Sequence, residues 1–264
     1  MSILETKNLC KFFGGLKAVN DISMNVNEGE VLGIIGPNCA GKTTFFNLIT
    51  STYPATSGQI FFEGQDITHL SAEKVARLGI ARTFQNIKLF KTLPVLENVK
   101  VGFHISTKTN LFDSILHSGR YRNDERLAAE RGMEILERVG LAEYADWAAG
   151  NLPYGLQRRL EIARALALSP KLLLLDEPAA GMNPAETAAL MEFVKTLNAD
   201  GITVVVIEHD MKFIMNLCDR IMVINYGEKL AEGKPAEITR DERVIEAYLG
   251  SGLKIDKERR RKRG

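Results

Sequence analysis

The chain is short of the features that would place it in an oxidising compartment or inside a bilayer. It has three cysteines in 264 residues, Cys10, Cys39 and Cys218. They are isolated and odd in number, so they build neither a disulfide framework nor a metal-ligand spacing, and a cytosolic setting is expected. No apolar stretch approaches the roughly 20 residues that cross a membrane. Leu172 to Leu175 is apolar but short, and reads as a buried strand. The first residues, MSILETKNL, lack a basic region followed by an apolar run, so no secretory signal is expected. An excess of one charge is missing too: 34 Lys+Arg face 33 Asp+Glu, a net charge of +1. That balance argues against broad nucleic-acid binding. The length is ample for a large core, as one big domain or two lobes.

Against these absences stands one dense motif, Gly36-Pro37-Asn38-Cys39-Ala40-Gly41-Lys42-Thr43. The apolar run Val31 to Ile35 precedes it, and a segment of helical spacing, Thr44 to Ile49, follows. Strand, glycine loop and helix start is the context of a phosphate-binding loop. Its backbone N–H groups can face phosphate oxygens, and the positive end of the helix dipole adds to the field. Lys42 can reach β- and γ-phosphates, and the Thr43 hydroxyl can ligate Mg²⁺. A chance match in a glycine-containing turn is the bland alternative, and the strand before and helix after argue against it. Cys39 stands where a small, turn-permissive residue is usual. If its position needs φ > 0, a non-glycine there carries modest strain. Either Cys39 is a small residue that simply fits, the favoured reading, or its thiol, near Lys42 and a helix start where the thiolate is favoured, is a site whose alkylation blocks nucleotide binding and which bound nucleotide protects.

Upstream, Leu4 to Leu9 and Ile22 to Val26 read as strands, with a turn at Asn27 to Glu30. Phe13, before two glycines, could stack on an adenine ring or be a half-buried aromatic at a strand end. Downstream, Gln59 to Phe62 reads as a strand, Ser71 as the cap of a short helix to Leu78, and Ile80 to Phe84 as a buried strand delivering Gln85. From Thr92 to Leu141 the pattern is mainly helical: one helix opens at Thr92-Leu93-Pro94, Lys108 to Asn123 is polar and irregular, and Asp124 to Val139 is a helix ended by Gly140. This reads as a helical lobe inserted in a sheet-based core. A further helix follows Asn151 to Leu156 and stops at Ser169-Pro170; its N-terminus could hold an anion.

Lys171 to Glu177 reads KLLLLDE, a buried strand with Asp176 and Glu177 emerging at its C-terminal end. Ligands of open α/β sheets bind at that edge. Successive residues at a strand end point differently, so Asp176 can serve a metal while Glu177 polarises a water. After a helix from Pro184 to about Leu197, the β-branched strand Ile202 to Ile207 ends at Glu208-His209-Asp210. A neutral His209 there can hydrogen-bond a γ-phosphate and hold the attacking water. A hairpin at Ile221 to Ala231 and closing helices around Ile238 and Val244 to Leu249 are expected. The tail Lys254 to Gly264, KIDKERRRKRG, reads as a disordered basic segment, or more weakly as a contact for anionic lipid.

The ordered set GPNCAGKT, Gln85, LPYGLQRRLEIARAL, LLLLDE and His209 resembles the ATP-binding cassette (ABC) ATPases over nearly the whole chain. The phrases KFFGGLKAVNDIS, ARTFQNIKLF, DEPAAGMNP and IEHDMKFIM are more closely similar to the ATP-binding subunits of branched-chain amino-acid importers. The resemblance implies an α/β fold: a P-loop NTPase (RecA-like) core with an antiparallel β subdomain and an inserted helical subdomain. On that reading residues 1–88 and 161–250 form the core, 89–160 the helical subdomain with the signature motif, and 251–264 the basic tail.

By the same resemblance, Gly36, Pro37, Asn38, Cys39, Ala40, Gly41, Lys42 and Thr43, with Thr44, form the Walker A loop. Leu172 to Asp176 is the Walker B strand, Glu177 the catalytic base, Gln85 the Q-loop residue and His209 the switch histidine. Phe13 takes the adenine-stacking place. Leu152, Pro153, Tyr154, Gly155 and Leu156 stand as the signature, and Ala180 to Asn183 as the D-loop. Thr43, Gln85 and Asp176 would hold Mg²⁺ on ATP. Two such domains are implied to pack head to tail around two ATP, driving a membrane permease served by a substrate-binding protein, on the cytoplasmic face of the membrane. The partner cassette is a second copy or a paralogue. Two other readings compete: the ATPase of another transporter, such as one for lipopolysaccharide, and a soluble cassette acting on ribosomes or DNA.

One departure concerns the signature. Pro153 replaces a serine whose hydroxyl touches the γ-phosphate in the family's general motif. Proline has neither hydroxyl nor N–H, so a contact worth about 1–3 kcal/mol is lost, leaving the amides of Gly155 and Leu156. Weaker closure is expected, with function kept.

Overall fold

The structure, a computed structural model, describes residues 1–103 and 119–248. The basic tail and residues 108–118 of the polar stretch lie outside the described residues. In chain order the elements are β1 (Ser2–Phe13), β2 (Leu16–Asn27), β3 (Val31–Ile35), α1 (Lys42–Ile49), β4 (Ser57–Phe62), β5 (Gln65–Asp66), α2 (Ala72–Arg77) and β6 (Ile80–Arg82). They continue with α3 (Val95–Phe103), α4 (Gly119–Arg138), α5 (Tyr154–Leu166), β7 (Leu172–Asp176), α6 (Pro184–Ala199), β8 (Thr203–Ile207), α7 (Met211–Leu217), β9 (Arg220–Asn225), β10 (Glu228–Gly233), α8 (Pro235–Ile238) and α9 (242–248). Two compact units result: Met1–Ala72 with the chain from Lys195 onward, and Glu73–Val194.

The first unit holds an antiparallel sheet of order β2-β1-β4-β5 and the strand run β10-β9-β3-β8. In that run β3 is parallel to both β8 and β9, and β10 is antiparallel to β9. The residues dictate this arrangement. All five positions of β3 and of β8 are buried, as their uninterrupted apolar runs require of parallel strands covered on both faces. Each large aliphatic side chain so buried contributes about 1.5–3 kcal/mol. β1 and β2 are only partly buried and their pairing is interrupted by register shifts, with Leu4 opposite Val26, Thr6 opposite Met24 and Leu9 opposite Ile22. The β9–β10 turn has positive φ at both central residues, Tyr226 (49°) and Gly227 (80°), the backbone that matches strand twist in a two-residue hairpin. α7 was not evident from the pattern. It is short, and it exists through its cap: Asp210 accepts from the N–H groups of Lys212 (2.8 Å) and Phe213 (3.2 Å).

In the second unit, β6 and β7 form a parallel pair, Ile80 opposite Leu172 and Arg82 opposite Leu174. β7 is buried throughout, as four consecutive leucines demand. β6 is shorter than expected: it ends at Arg82, and Thr83 to Gln85 leave it as irregular chain. The described part of α4 already includes Gly119, ahead of the expected start at Asp124, and the helix stops where Gly140 takes φ 70° and the Leu141 N–H reaches back to Leu136 O at 2.7 Å. Buried Asn98 of α3 holds the chain before its own helix. Its amide accepts from Phe90 N–H (2.9 Å) and donates to Phe90 O (3.1 Å) and Pro94 O (3.0 Å).

Candidate functional site

The candidate residues fall in both units, and each group is built within its own. In the first, β3 delivers its last residue directly into the glycine loop. A Cβ at Gly36 (φ 156°) would stand 2.0 Å from Ile224 O, and one at Gly41 (φ 104°) 2.2 Å from Ala18 O. Both glycines are therefore demanded by close backbone packing beneath the loop. Cys39 sits at φ 63°, so the position does need a left-handed backbone, and the residue is exposed. Lys42 is buried, and its ammonium donates to Gly36 O (2.7 Å) and Pro37 O (2.9 Å), so the loop is curled around its own lysine. Asn38 and Thr43 are exposed at the mouth, Pro37 and Thr44 partly so, and Ala40 is buried beneath, its N–H donating to Pro37 O at 3.2 Å.

In the same unit, β8 ends at buried Glu208 and exposed His209. Glu208 accepts the His209 N–H (3.1 Å), and its carboxylate stands 3.9 Å from His209 Nδ1. Sequence reasoning passed over Glu208 in favour of the histidine; its signal was an acid closing a β-branched strand. Phe13 ends β1 and is 44% exposed. Tyr53 meets it edge-on, centroids 5.6 Å apart, and the Lys11 ammonium lies 5.1 Å from its centroid.

In the second unit, β7 places Asp176 and Glu177 at its C-terminal end. Asp176 is buried, and its Oδ2 accepts from Arg82 Nη2 at 2.7 Å. Glu177 turns away by adopting φ 47°, a left-handed backbone unusual for a long side chain. Its Oε2 accepts from Gln85 Nε2 at 2.7 Å. Two residues expected at one edge are thus joined. Arg82 was not singled out from sequence, although a cation one strand over from a buried acid is a recognisable pairing.

The signature residues begin α5. Pro153 is its N-cap with φ −52° and ψ 150°, suiting proline's fixed backbone. Its carbonyl accepts from Leu156 N–H and Gln157 N–H, each at 3.0 Å. The Leu156 amide, expected to face an anion, is therefore already used within the helix. Leu152 and Gly155 are buried, and a Cβ at Gly155 would meet Glu186 Oε1 at 2.9 Å. Tyr154 is half-exposed, and its hydroxyl donates to Ala180 O (2.9 Å), a tie from the signature to the loop before α6.

Each unit by itself offers hard oxygen ligands of the kind Mg²⁺ takes: the Thr43 hydroxyl in the first, the Asp176 carboxylate and the Gln85 amide oxygen in the second. Among the described residues no cluster of three or more His, Cys, Asp or Glu could cage a metal alone. Mg²⁺ is commonly held by one or two protein oxygens together with substrate phosphates. A lysine and an eight-residue helix start supply the positive field for those phosphates.

A lysine-centred glycine loop on one parallel strand and an Asp-Glu pair ending another define a P-loop nucleotide hydrolase. Comparison with known proteins makes this specific. The family model described as "ABC transporter" matches residues 19–180, and one described as "Branched-chain amino acid ATP-binding cassette transporter" matches residues 228–254. The chain is 47% identical over 249 residues to the high-affinity branched-chain amino acid transport ATP-binding protein BraF of Pseudomonas aeruginosa, covering 94% of this chain and 98% of that one. It is 45% identical, with the same coverages, to LivG of Escherichia coli, which carries the same description. Among solved structures, a nucleotide-free ATP-binding cassette from an ABC transporter superposes with a TM-score of 0.83 at 35% identity, covering 94% of this chain and 99% of that one. A dimeric cassette bound to ADP and Pi gives 0.73 at 28%, covering 88% and 98%. The chain belongs to the ABC transporter family of ATP-hydrolysing cassettes.

Proposed function

We propose that this ATPase is the energy-coupling subunit of an importer for branched-chain, hydrophobic amino acids. It works as one of a pair of cassettes, the second a copy or a paralogue, on the cytoplasmic face of a membrane permease fed by a substrate-binding protein. The match of residues 228–254 to the branched-chain amino-acid transporter model supports this solute class over lipopolysaccharide. Among the described residues no helix is long and apolar enough to cross a membrane, so passage through the bilayer falls to the permease. Residues 89–160 are the part assigned to meet it.

The roles within the chain follow from the chemistry. Gly36 to Thr44, with Lys42, bind the phosphates; Phe13 stacks the adenine. Mg²⁺, when bound, neutralises phosphate charge, and Thr43, Gln85 and Asp176 are the residues that would hold it. Glu177 takes the proton of the attacking water; Gln85 and His209 orient that water. Leu152 to Leu156 serve the nucleotide of the partner cassette. Catalysis of this kind is positioning plus charge neutralisation. The observation that carries the reading is the 2.7 Å bond from Gln85 to Glu177, which holds the acid by its neutral neighbour. Glu177→Gln is the test. It keeps ATP affinity within about threefold and lowers turnover by about 10²–10⁴. Near-normal hydrolysis in that variant would sink the assignment of the base.

A further inference from the structure

The chain that carries Gln85 is not a free loop. Residues 84–88 leave β6, so their backbone groups lose strand partners, and α5 replaces them with side chains. Phe84 N–H donates to Glu161 Oε1 (3.3 Å). Arg158 donates through Nη1 to Phe84 O (2.7 Å) and through Nη2 to Gln85 O (2.8 Å), while Nη1 also pairs with Glu161 Oε2 (2.8 Å). Arg164 Nη1 donates to Lys88 O. Arg158 and Glu161 are fully buried, Arg164 partly, and burial pulls the Arg164 guanidinium below its ordinary range. Positions 158, 161 and 164 trace a strip about 120° wide on one side of the helix. The Phe84 ring is held as well, with Arg82 at 5.3 Å and Lys88 at 4.4 Å from its centroid.

A buried ion pair is a poor way to gain stability, since apolar residues of similar volume do as well or better. What apolar residues cannot do is grip two successive carbonyls. The planar fork of Arg158 does so on either side of the Gln85 amide, and that fixes the direction in which the Gln85 side chain leaves. Arg158 also stands 3.4 Å from the Tyr154 hydroxyl, which itself donates to Ala180 O.

We propose that Arg158, Glu161 and Arg164 are positioning residues for hydrolysis: they lock residues 84–88 to the signature helix, so that the placement of Gln85 against Glu177 follows the placement of that helix. The proposal rests on the role given above to Gln85.

The test is steady-state hydrolysis by the full chain. Arg158→Met combined with Glu161→Leu replaces the buried pair by apolar volume but also removes the partners of Phe84 N–H and of the Phe84 and Gln85 carbonyls, so its folding is checked first by circular dichroism. It lowers kcat by about 10–100-fold, with KM and the affinity for a fluorescent ATP analogue within about threefold. Added to Gln85→Ala, it brings no further loss beyond about threefold, because both act through the same amide. A folded double variant with kcat within about twofold of the parent, or losses that multiply with Gln85→Ala, overturns the proposal. If the double variant does not fold, Arg164→Gln removes only the Lys88 grip and is read by the same cycle, full kcat overturning it. Full turnover in Gln85→Ala alone overturns the role of Gln85; a slow Gln85→Ala beside a fast clamp variant overturns the clamp only.

Discussion

The two halves of the nucleotide machinery are held together in different ways. Around the glycine loop the contacts are short in sequence: Lys42 bonds carbonyls six and five residues away. Around Asp176 and Glu177 they span the chain, with Arg82 and Asp176 separated by 94 positions, Gln85 and Glu177 by 92, and Arg158 and Phe84 by 74. A local site forms once its strand and helix form. A remote one exists only when distant elements have met, and it registers their movement. The loop is thus suited to grip a ligand, and the acidic edge to respond to the rest of the protein.

This contrast is broken most severely at Arg82. Arg82→Gln takes the guanidinium from a buried carboxylate and costs about 3–5 kcal/mol, read by urea denaturation. An unchanged midpoint would show that the remote half does not depend on its ion pair. Lys42→Met tests the opposite expectation. ATP affinity falls about 10–100-fold, measured by equilibrium binding, while the denaturation midpoint moves less than for Arg82→Gln, because the Lys42 bonds are local and run to neutral carbonyls. Next in size, Asp210→Ala removes the cap of α7 and costs about 1 kcal/mol, read by thermal melting. The smallest effect sharpens the comparison with a long-range pair inside the first unit. Burial opposes ionisation of Glu30, but the 2.6 Å bond from Arg220, the Asn27 N–H and the Arg220 charge together outweigh it and hold the Glu30 carboxyl below its usual range. A lowered folded-state pKa gives stability that is present above the unfolded value and is lost as pH falls through the folded one. Glu30→Gln should therefore flatten the acid limb of the stability profile below about pH 4.5, and an unaltered limb would contradict the pairing.

Legibility follows the same line. Val31 to Ile35, Leu172 to Asp176 and Thr203 to Ile207 were readable because fully buried strands are apolar runs, and the glycine loop because its chemistry lies within eight consecutive residues. The end of β6 was misplaced because Phe84 is as apolar as a strand residue. What removes it from the strand is Arg158 and Glu161, more than seventy positions away. The same remoteness hid the pairing of Arg82 with Asp176 and of Tyr154 with Ala180. The spacing Arg158, Glu161, Arg164 was visible, but a charged strip on a helix ordinarily faces water.

The left-handed backbone at Glu177 has a consequence for which residues the position can hold. A β-branched residue is excluded by sterics, and Asn, Asp or Gly would relieve a strain of about 1–2 kcal/mol. Aspartate would satisfy both backbone and charge, yet it is one methylene shorter and would withdraw from Gln85. The position is therefore contested between conformational comfort and reach. Glutamate suits the position because its length meets the Gln85 amide opposite, at the expense of a strained backbone.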